Sequence, residues 1–176
     1  MASNKDRLKG LCDAAKKMGA ADARPIRSKD IVVRDWVRLK CQFGCDDYGR
    51  LLTCPPNTPT PEELRRVLNE YRWAILLKFG GDGYEDDLTR IHDLIVKIER
   101  EAFLKGHYAA FGFSSGPCPY CEGCNLERCK HPDLARPSME GCGIDVFATV
   151  KKAGLDLRVM KNRNEKPTYY SLLLVE

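Results

Sequence analysis

The feature that most constrains this chain is a cysteine-rich segment, residues 116–145. It holds five of the nine cysteines of the protein, and four of these fall within the stretch Cys118–Cys129 with the spacing C-x2-C-x2-C-x4-C. Leu126 is the only aliphatic residue among them, so this stretch cannot build a hydrophobic core of its own. Thiols crowded at such intervals are typical of a ligand shell for metal. The five cysteines are Cys118, Cys121, Cys124, Cys129 and Cys142.

A second cysteine group lies earlier in the chain, in residues 41–56. Its spacing is C-x3-C-x8-C-P-P, formed by Cys41, Cys45 and Cys54. Glycines between these cysteines permit the sharp turns that wrap backbone around a metal centre, and a cysteine followed by proline also closes the ligand run of bacterial ferredoxins. We therefore predict that both segments form one metal-binding lobe.

Length and charge narrow the classes of protein that remain. The 176 residues suit a single domain spanning 1–176, and the net charge of +4 comes from interspersed basic and acidic residues. That balance lacks the dense basic footprint of a nucleic-acid-binding protein. No apolar run approaches the roughly 18 residues of a membrane helix, and the N-terminus shows no signal peptide. We expect a cytoplasmic protein with reduced thiols, which favours metal over disulfides.

Periodicity predicts an α+β fold. We expect a four-stranded mixed sheet with helices mainly on one face, and the cysteine-rich loops at one end. Thr60, Pro61 and Glu63 form a helix-start signature in which a capping box precedes an apolar run. The predicted helices are 5–18, 60–71, 86–105 and 143–153, and a turn is predicted at 80–83. The predicted strands are 73–79, 107–113, 155–160 and 168–175, with a further short candidate at 31–33 that continues extended to residue 39.

Iron–sulfur and zinc are the competing metal assignments. The spacing C-x2-C-x2-C resembles the ligand run of bacterial ferredoxins, in which one loop offers thiolates to several irons. The ferredoxin run continues x3-C-P, whereas here Cys129 follows after four residues, so its assignment to the same cluster stays open. Structural zinc sites use two ligand pairs, which Cys118 with Cys121 and Cys129 with His131 could provide.

Eight cysteines suffice for two [4Fe-4S] clusters once Cys12 is set aside as a small buried hydrophobe on a helix stripe. One partition places Cys118, Cys121, Cys124 and Cys129 on one cluster, and Cys41, Cys45, Cys54 and Cys142 on the other. Cys142 precedes a predicted helix, whose dipole would stabilise a thiolate there. If Cys142 is not a ligand, one iron of the second cluster is open to a substrate.

Three basic residues in the main segment are candidates for offsetting the negative charge of a thiolate-bound cluster. They are Arg128, Lys130 and Arg136.

Taken together, the two groups carry a family resemblance. The stretches WVRLKCQFGCDDYGRLLTCPPNTPTPEEL and GPCPYCEGCNLERCKHPDLARPSMEGCGIDV resemble those of the cysteine-rich predicted metal-binding proteins of strictly anaerobic archaea and bacteria. The resemblance covers about residues 31–157. It implies metal binding, with iron–sulfur favoured, through the first seven cysteines of the two groups. Those seven are Cys41, Cys45, Cys54, Cys118, Cys121, Cys124 and Cys129.

Three functions follow from these patterns. The leading one is an iron–sulfur protein that exchanges electrons with a redox partner protein. The second is an enzyme or assembly factor that uses an incompletely ligated cluster to bind a small molecule or deliver metal. The third is a zinc-stabilised interaction module. The sequence leaves open the identity of the partner and whether the protein forms homo-oligomers.

Overall fold

The computed structural model describes residues 4–80, 84–162 and 165–176. Its elements confirm the predicted α+β class. The helices are α1 Asn4–Lys17, α2 Asp35–Gly44, α3 Pro61–Leu68, α4 Tyr84–Leu104 and α5 Val146–Lys152, with short 3-10 turns at Ser28–Asp30 and Glu140–Cys142. The strands are β1 Asp22–Arg27, β2 Trp73–Gly80, β3 Phe111–Phe113 and β4 Thr168–Leu174.

The four strands form one sheet in the order β1-β2-β4-β3. Every pairing within it is antiparallel, so the prediction of a mixed sheet is corrected to an antiparallel one. The central strands β2 and β4 are buried on both faces, which explains their continuous apolar runs.

Helices cover both faces of this sheet, rather than mainly one as predicted. On one face α1 and α4 pack against alternate β2 residues, including Ile75 and Leu77. On the other face α3 and α5 pack against Ala74 and Leu76. Successive side chains of a strand point to opposite faces, and because both sets are apolar in β2, both faces need a cover.

One predicted strand was wrong and another was missed. Residues 155–160 form no regular strand, and β1 supplies the fourth strand instead. Pro25 concealed β1, because proline has no N–H to donate to a sheet. At the sheet edge, where β1 lies, that loss is tolerated.

The stretch predicted as extended from residue 31 to 39 is mostly helical. Val33 forms only an isolated bridge to Ile144, and α2 begins at Asp35. This bridge lies next to Gly143, whose left-handed φ of 87° ends the 3-10 turn at Cys142. Tertiary contacts therefore overrode the β-branched composition of this stretch.

Helix ends matched the sequence signals more closely. The predicted capping box is confirmed, because Thr60 Oγ1 accepts from the Glu63 N–H at 3.2 Å and Glu63 Oε2 accepts from the Thr60 N–H at 2.8 Å. The long helix α4 begins at Tyr84, slightly before the predicted start. The turn predicted at 80–83 lies outside the described residues except for Gly80.

Candidate metal centre

Four thiols of the main segment gather around one small cavity. Its lining includes the side chains of Cys118, Cys121, Cys124 and Cys129. The loop that carries them leaves the sheet directly after β3 and returns at Ser138, which pairs with Ser114 in an isolated bridge. The structure therefore brings these four cysteines to one cavity, and their role as metal ligands stays a prediction.

Burial and mutual repulsion raise the pKa of the Cys118 thiol. Desolvation is the largest cause, and the neighbouring thiols Cys129, Cys121 and Cys124 act in the same direction, partly opposed by a hydrogen bond from the Tyr120 backbone. Thiolates packed this closely repel one another unless a cation lies between them. Ionising the Cys118 thiol is therefore costly unless a cation lies beside it.

Tyr120 covers the inner side of this thiol group. Its hydroxyl donates to Asp93 Oδ1 on α4 at 2.7 Å, which fixes the ring against the helix. The ring meets the buried His92 edge-on at a centroid distance of 6.0 Å and lies 6.3 Å from the ring of His131. The cysteine loop is therefore seated on α4 through an aromatic contact that the spacing of cysteines did not reveal.

Arg136 fastens the returning end of the loop to the same helix. Its guanidinium donates to both carboxylate oxygens of Glu99, at 2.7 and 2.6 Å, and the two side chains are only 13% and 16% exposed. The Glu99 carboxylate also accepts from the Gly112 N–H at 2.7 Å. Arg136, predicted to offset cluster charge, thus has a carboxylate partner of its own.

The other two predicted basic residues lie on the outer part of the loop. Lys130 lines the cavity together with the four thiols, in a position suited to offset their charge. Arg128 is exposed and does not line that cavity. Lys130 is therefore the best placed of the three predicted basic residues to act on a bound centre.

The second site gathers cysteines from three separate parts of the chain. Cys41 lies in the last turn of α2, Cys45 is the residue at its C-terminal cap, and Cys54 lies in the following loop. Cys142 closes the 3-10 turn more than eighty residues later and is fully buried. Gly141, the residue before Cys142, lies against Thr53 and Pro55, which flank Cys54, and its carbonyl accepts from Arg38 of α2, so the fold brings Cys142 close to Cys54 and to α2.

A hydrogen-bond network joins these distant parts. Arg38 on α2 donates to the Gly141 carbonyl at 3.0 Å, to Thr58 Oγ1 at 3.1 Å and to the Pro59 carbonyl at 2.9 Å. The Thr58 hydroxyl itself donates to the Gly141 carbonyl at 2.6 Å. Arg38 therefore positions Cys142 beside α2, and its charge lowers the pKa of the Cys142 thiol in opposition to burial.

Desolvation nonetheless dominates at the buried thiols of this site. Burial raises the pKa of Cys142 to about 12, and Cys54 and Cys41 add to the rise. Burial likewise raises the pKa of Cys54 to about 12, with Asp47 and then Cys45 and Cys41 contributing. Both thiols stay protonated at neutral pH unless a metal displaces the proton.

The expected role of a helix dipole at Cys142 does not hold. The helix α5 begins at Val146, and its N-cap is Asp145, whose Oδ1 accepts from the Ala148 N–H at 2.9 Å. Cys142 belongs instead to the preceding 3-10 turn. The carboxylate of Asp145 therefore occupies the helix end that the sequence had assigned to the thiol.

The two cysteine groups adjoin one another. Residues 51–53, which precede Cys54, line the cavity around the four thiols of the main segment. Cys12 lies apart from both groups, on the buried face of α1 in the core that this helix forms with α4, where it is 4% exposed. Setting Cys12 aside as a buried hydrophobe was correct.

Cysteine thiols are the donors of each group, and sets of four thiols are used both by structural zinc sites and by iron–sulfur clusters. Within residues 4–80, 84–162 and 165–176, no group of three or more His, Cys, Asp or Glu side chains converges as around one metal ion. A tetrahedral zinc ion with Zn–S bonds of about 2.3 Å would require the four sulfurs to approach to about 4 Å. A cubane cluster spreads its thiolates over separate irons.

Tyr120 and Glu99 are the contributing residues that sequence reasoning missed. A signal for Glu99 was present, because it follows Ile95 by one helical turn and so borders the apolar stripe of α4. Tyr120 stands within the cysteine run itself, where an aromatic residue is unusual enough to suggest a packing role. Their partners Asp93 and Arg136 are distant in sequence and could not be paired by spacing.

Comparison with known proteins identifies a family for this chain. None of the helices in the described ranges has the length and apolar character needed to span a membrane. No curated protein and no solved structure matched the chain. A family model described as predicted metal-binding protein (DUF2284) matches residues 24–175, which include both cysteine groups. Given that match over most of its length, the chain belongs to this family of predicted metal-binding proteins.

Proposed function

We propose that the protein binds two [4Fe-4S] clusters, one at each cysteine group, and exchanges electrons with a redox partner protein. The observation that supports this proposal is the placement of the four thiols of the main segment around one cavity, with Cys142 brought by Gly141 close to Cys54 and to α2, which carries Cys41. Such clusters supply one-electron redox chemistry. The main-segment group, with Cys118 and its three neighbours, is the more regular of the two.

The protein's own residues would tune such centres in two ways. Lys130 and Arg38 bring positive charge to the first and second site respectively, which favours the anionic thiolates. Burial of Cys54 and Cys142 and the cover provided by Tyr120 restrict water, which together with charge sets the redox potential of a cluster.

An enzyme or assembly factor with an open iron is the alternative that the second site supports. It would require that Cys142, despite its position, does not ligate. A zinc-stabilised interaction module is the third candidate, and it predicts colourless protein with one zinc per four thiols.

Anaerobic purification followed by iron, sulfide and zinc analysis tests the proposal. We expect brown protein with about eight irons and eight sulfides per chain, the content of two four-iron clusters. Colourless, folded protein that contains zinc and lacks acid-labile sulfide would overturn it.

Three matched serine substitutions then assign the ligands. Cys118→Ser and Cys142→Ser should each lower the iron content by up to about half. Cys12→Ser, at a buried thiol outside both groups, is the control and should retain all iron. If Cys142→Ser retains full iron and an unchanged electron paramagnetic resonance spectrum, Cys142 is not a ligand and the open-iron alternative is favoured.

A further inference from the structure

A cavity of about 500 Å³ opens beside the second cysteine site, where Cys41 and Cys45 form part of its wall. Its other walls come from α2, from the start of α5, from residues 157–160 and from the N-terminal end of β4. A volume of this size lies within the range of sites that hold small organic molecules. Four walls from separate elements make it a cavity and not a flat interaction face.

The lining is dominated by apolar and aromatic side chains. Trp36 and Phe147 are 49% and 48% exposed, an unusual state for large apolar residues, and both line the cavity. Met160, 50% exposed, also lines it. Such surface is costly to leave in water, and aromatic walls of this kind suit a planar ring that stacks or packs edge-on against them.

Two acidic residues, Glu140 and Asp145, line this apolar cavity. Asp145 Oδ1 already accepts from the Ala148 N–H at 2.9 Å. Glu140 is exposed, and its carboxyl group accepts from its own backbone N–H. The basic residues Lys40 and Arg158 also line the cavity, and Arg158 is paired with Asp156 at 2.8 Å. Because a ligand in this cavity would cover the Glu140 carboxylate, binding favours a ligand that brings a donor to it.

We propose that this cavity binds a planar, largely apolar aromatic molecule whose N–H or O–H group donates to Glu140. Trp36 and Phe147 would supply the apolar contact, and the ligand would lie next to Cys41 and Cys45. The position of the ligand beside a metal centre rests on the proposed function, whereas the cavity itself is formed by protein side chains alone.

Equilibrium dialysis of the anaerobically purified full chain tests this proposal, because it is insensitive to the colour of the protein. The probes are 1-naphthylamine, which carries a donor, and 1-methylnaphthalene, which has the same shape without one. We expect saturable binding of one 1-naphthylamine per chain. The donor should strengthen binding by about tenfold over 1-methylnaphthalene, as a hydrogen bond to a carboxylate does.

Two variants and one control locate the binding site. Phe147→Ala should weaken binding of both probes by about tenfold, through loss of buried apolar area. Glu140→Met, which has a similar shape and no oxygen to accept a hydrogen bond, should remove most of the preference for 1-naphthylamine and leave the binding of 1-methylnaphthalene nearly unchanged. Phe103→Ala, at a residue of α4 that is 58% exposed and away from the cavity, should bind like the unmodified protein.

Three outcomes would overturn the proposal. The first is the absence of saturable binding by folded protein. The second is an equal effect of Phe147→Ala and Phe103→Ala on probe binding. The third is that sedimentation shows the unmodified protein to be self-associated, and that the protein binds the probes only when Phe147→Ala makes it monomeric. Iron and sulfide content is measured on the same samples. Normal iron content without probe binding refutes the proposed ligand binding but not the proposed function. Probe binding without iron refutes the proposed function but not the ligand binding.

Discussion

Replacing Arg136 by leucine should destabilise the protein by about 3 kcal/mol, because it leaves a partly buried carboxylate without its cation. Arg136 and Glu99 are 13% and 16% exposed and share two hydrogen bonds at 2.7 and 2.6 Å. Breaking a buried pair by removing one partner costs about 3–5 kcal/mol, and the residual exposure places this case at the lower end. Within the described part of the chain, the Gly112 N–H is the one donor that would still reach Glu99.

A conservative variant distinguishes two roles of Arg136, pairing with Glu99 and offsetting the charge of a metal centre at a distance. Arg136→Lys keeps the positive charge but cannot form the planar, two-pronged contact. If Arg136 only offset the charge of a metal centre at a distance, lysine would replace it without loss. Because the structure shows a fork on Glu99, we expect Arg136→Lys to cost about 1–2 kcal/mol.

Urea unfolding under anaerobic conditions, monitored by circular dichroism, measures these free energies of unfolding. Iron content is determined on every sample. Glu99→Leu and the double variant complete a double-mutant cycle, in which the double variant should be less destabilised than the two single variants added together. A loss below about 1 kcal/mol for Arg136→Leu would refute the reasoning, since that is the value of an exposed pair. Unchanged stability of Arg136→Lys would also refute the reasoning.

Three further predictions follow from single contacts. Burial lowers the pKa of His92 to about 4, so the free energy of unfolding should fall by up to about 3 kcal/mol as pH drops from about 6.5 toward 4. His92→Gln should flatten this dependence when unfolding is measured against pH. An unchanged slope in that variant would contradict the prediction. Gly112→Ala would place a methyl group 2.4 Å from Ile95 Cγ2 and should lower the free energy of chemical unfolding by about 1–3 kcal/mol. Gly123→Ala, with open space around it, should lower it much less. Equal losses in the two variants would disprove the steric reason. Thr60→Ala should lose about 1 kcal/mol in the same assay through the missing helix cap, and full stability would show that the cap contributes nothing.

Local sequence signals predicted those parts of the fold whose determinants lie close together in the chain. The capping box at Thr60 and the apolar period of α4 depend on neighbours three and four residues away, and both appear in the structure. Strand β1 was missed because its proline is acceptable only at an edge, and edge position is a property of the whole sheet. Residues 155–160 have strand-like composition, yet they form no strand, and residues 157–160 line a cavity.

The same division applies to the candidate site. Thiols spaced two residues apart must lie near one another, so the sequence alone determined that Cys118, Cys121 and Cys124 form a group, and the family match agrees that the protein binds metal. Only the tertiary structure decided that Cys142 joins Cys41 and Cys54, since the Arg38 contacts that bring them together join residues up to 103 positions apart. Only the tertiary structure decided that Arg136 pairs with Glu99. Sequence spacing determines contacts between residues within a turn of the chain, whereas packing determines contacts between residues that are distant in sequence.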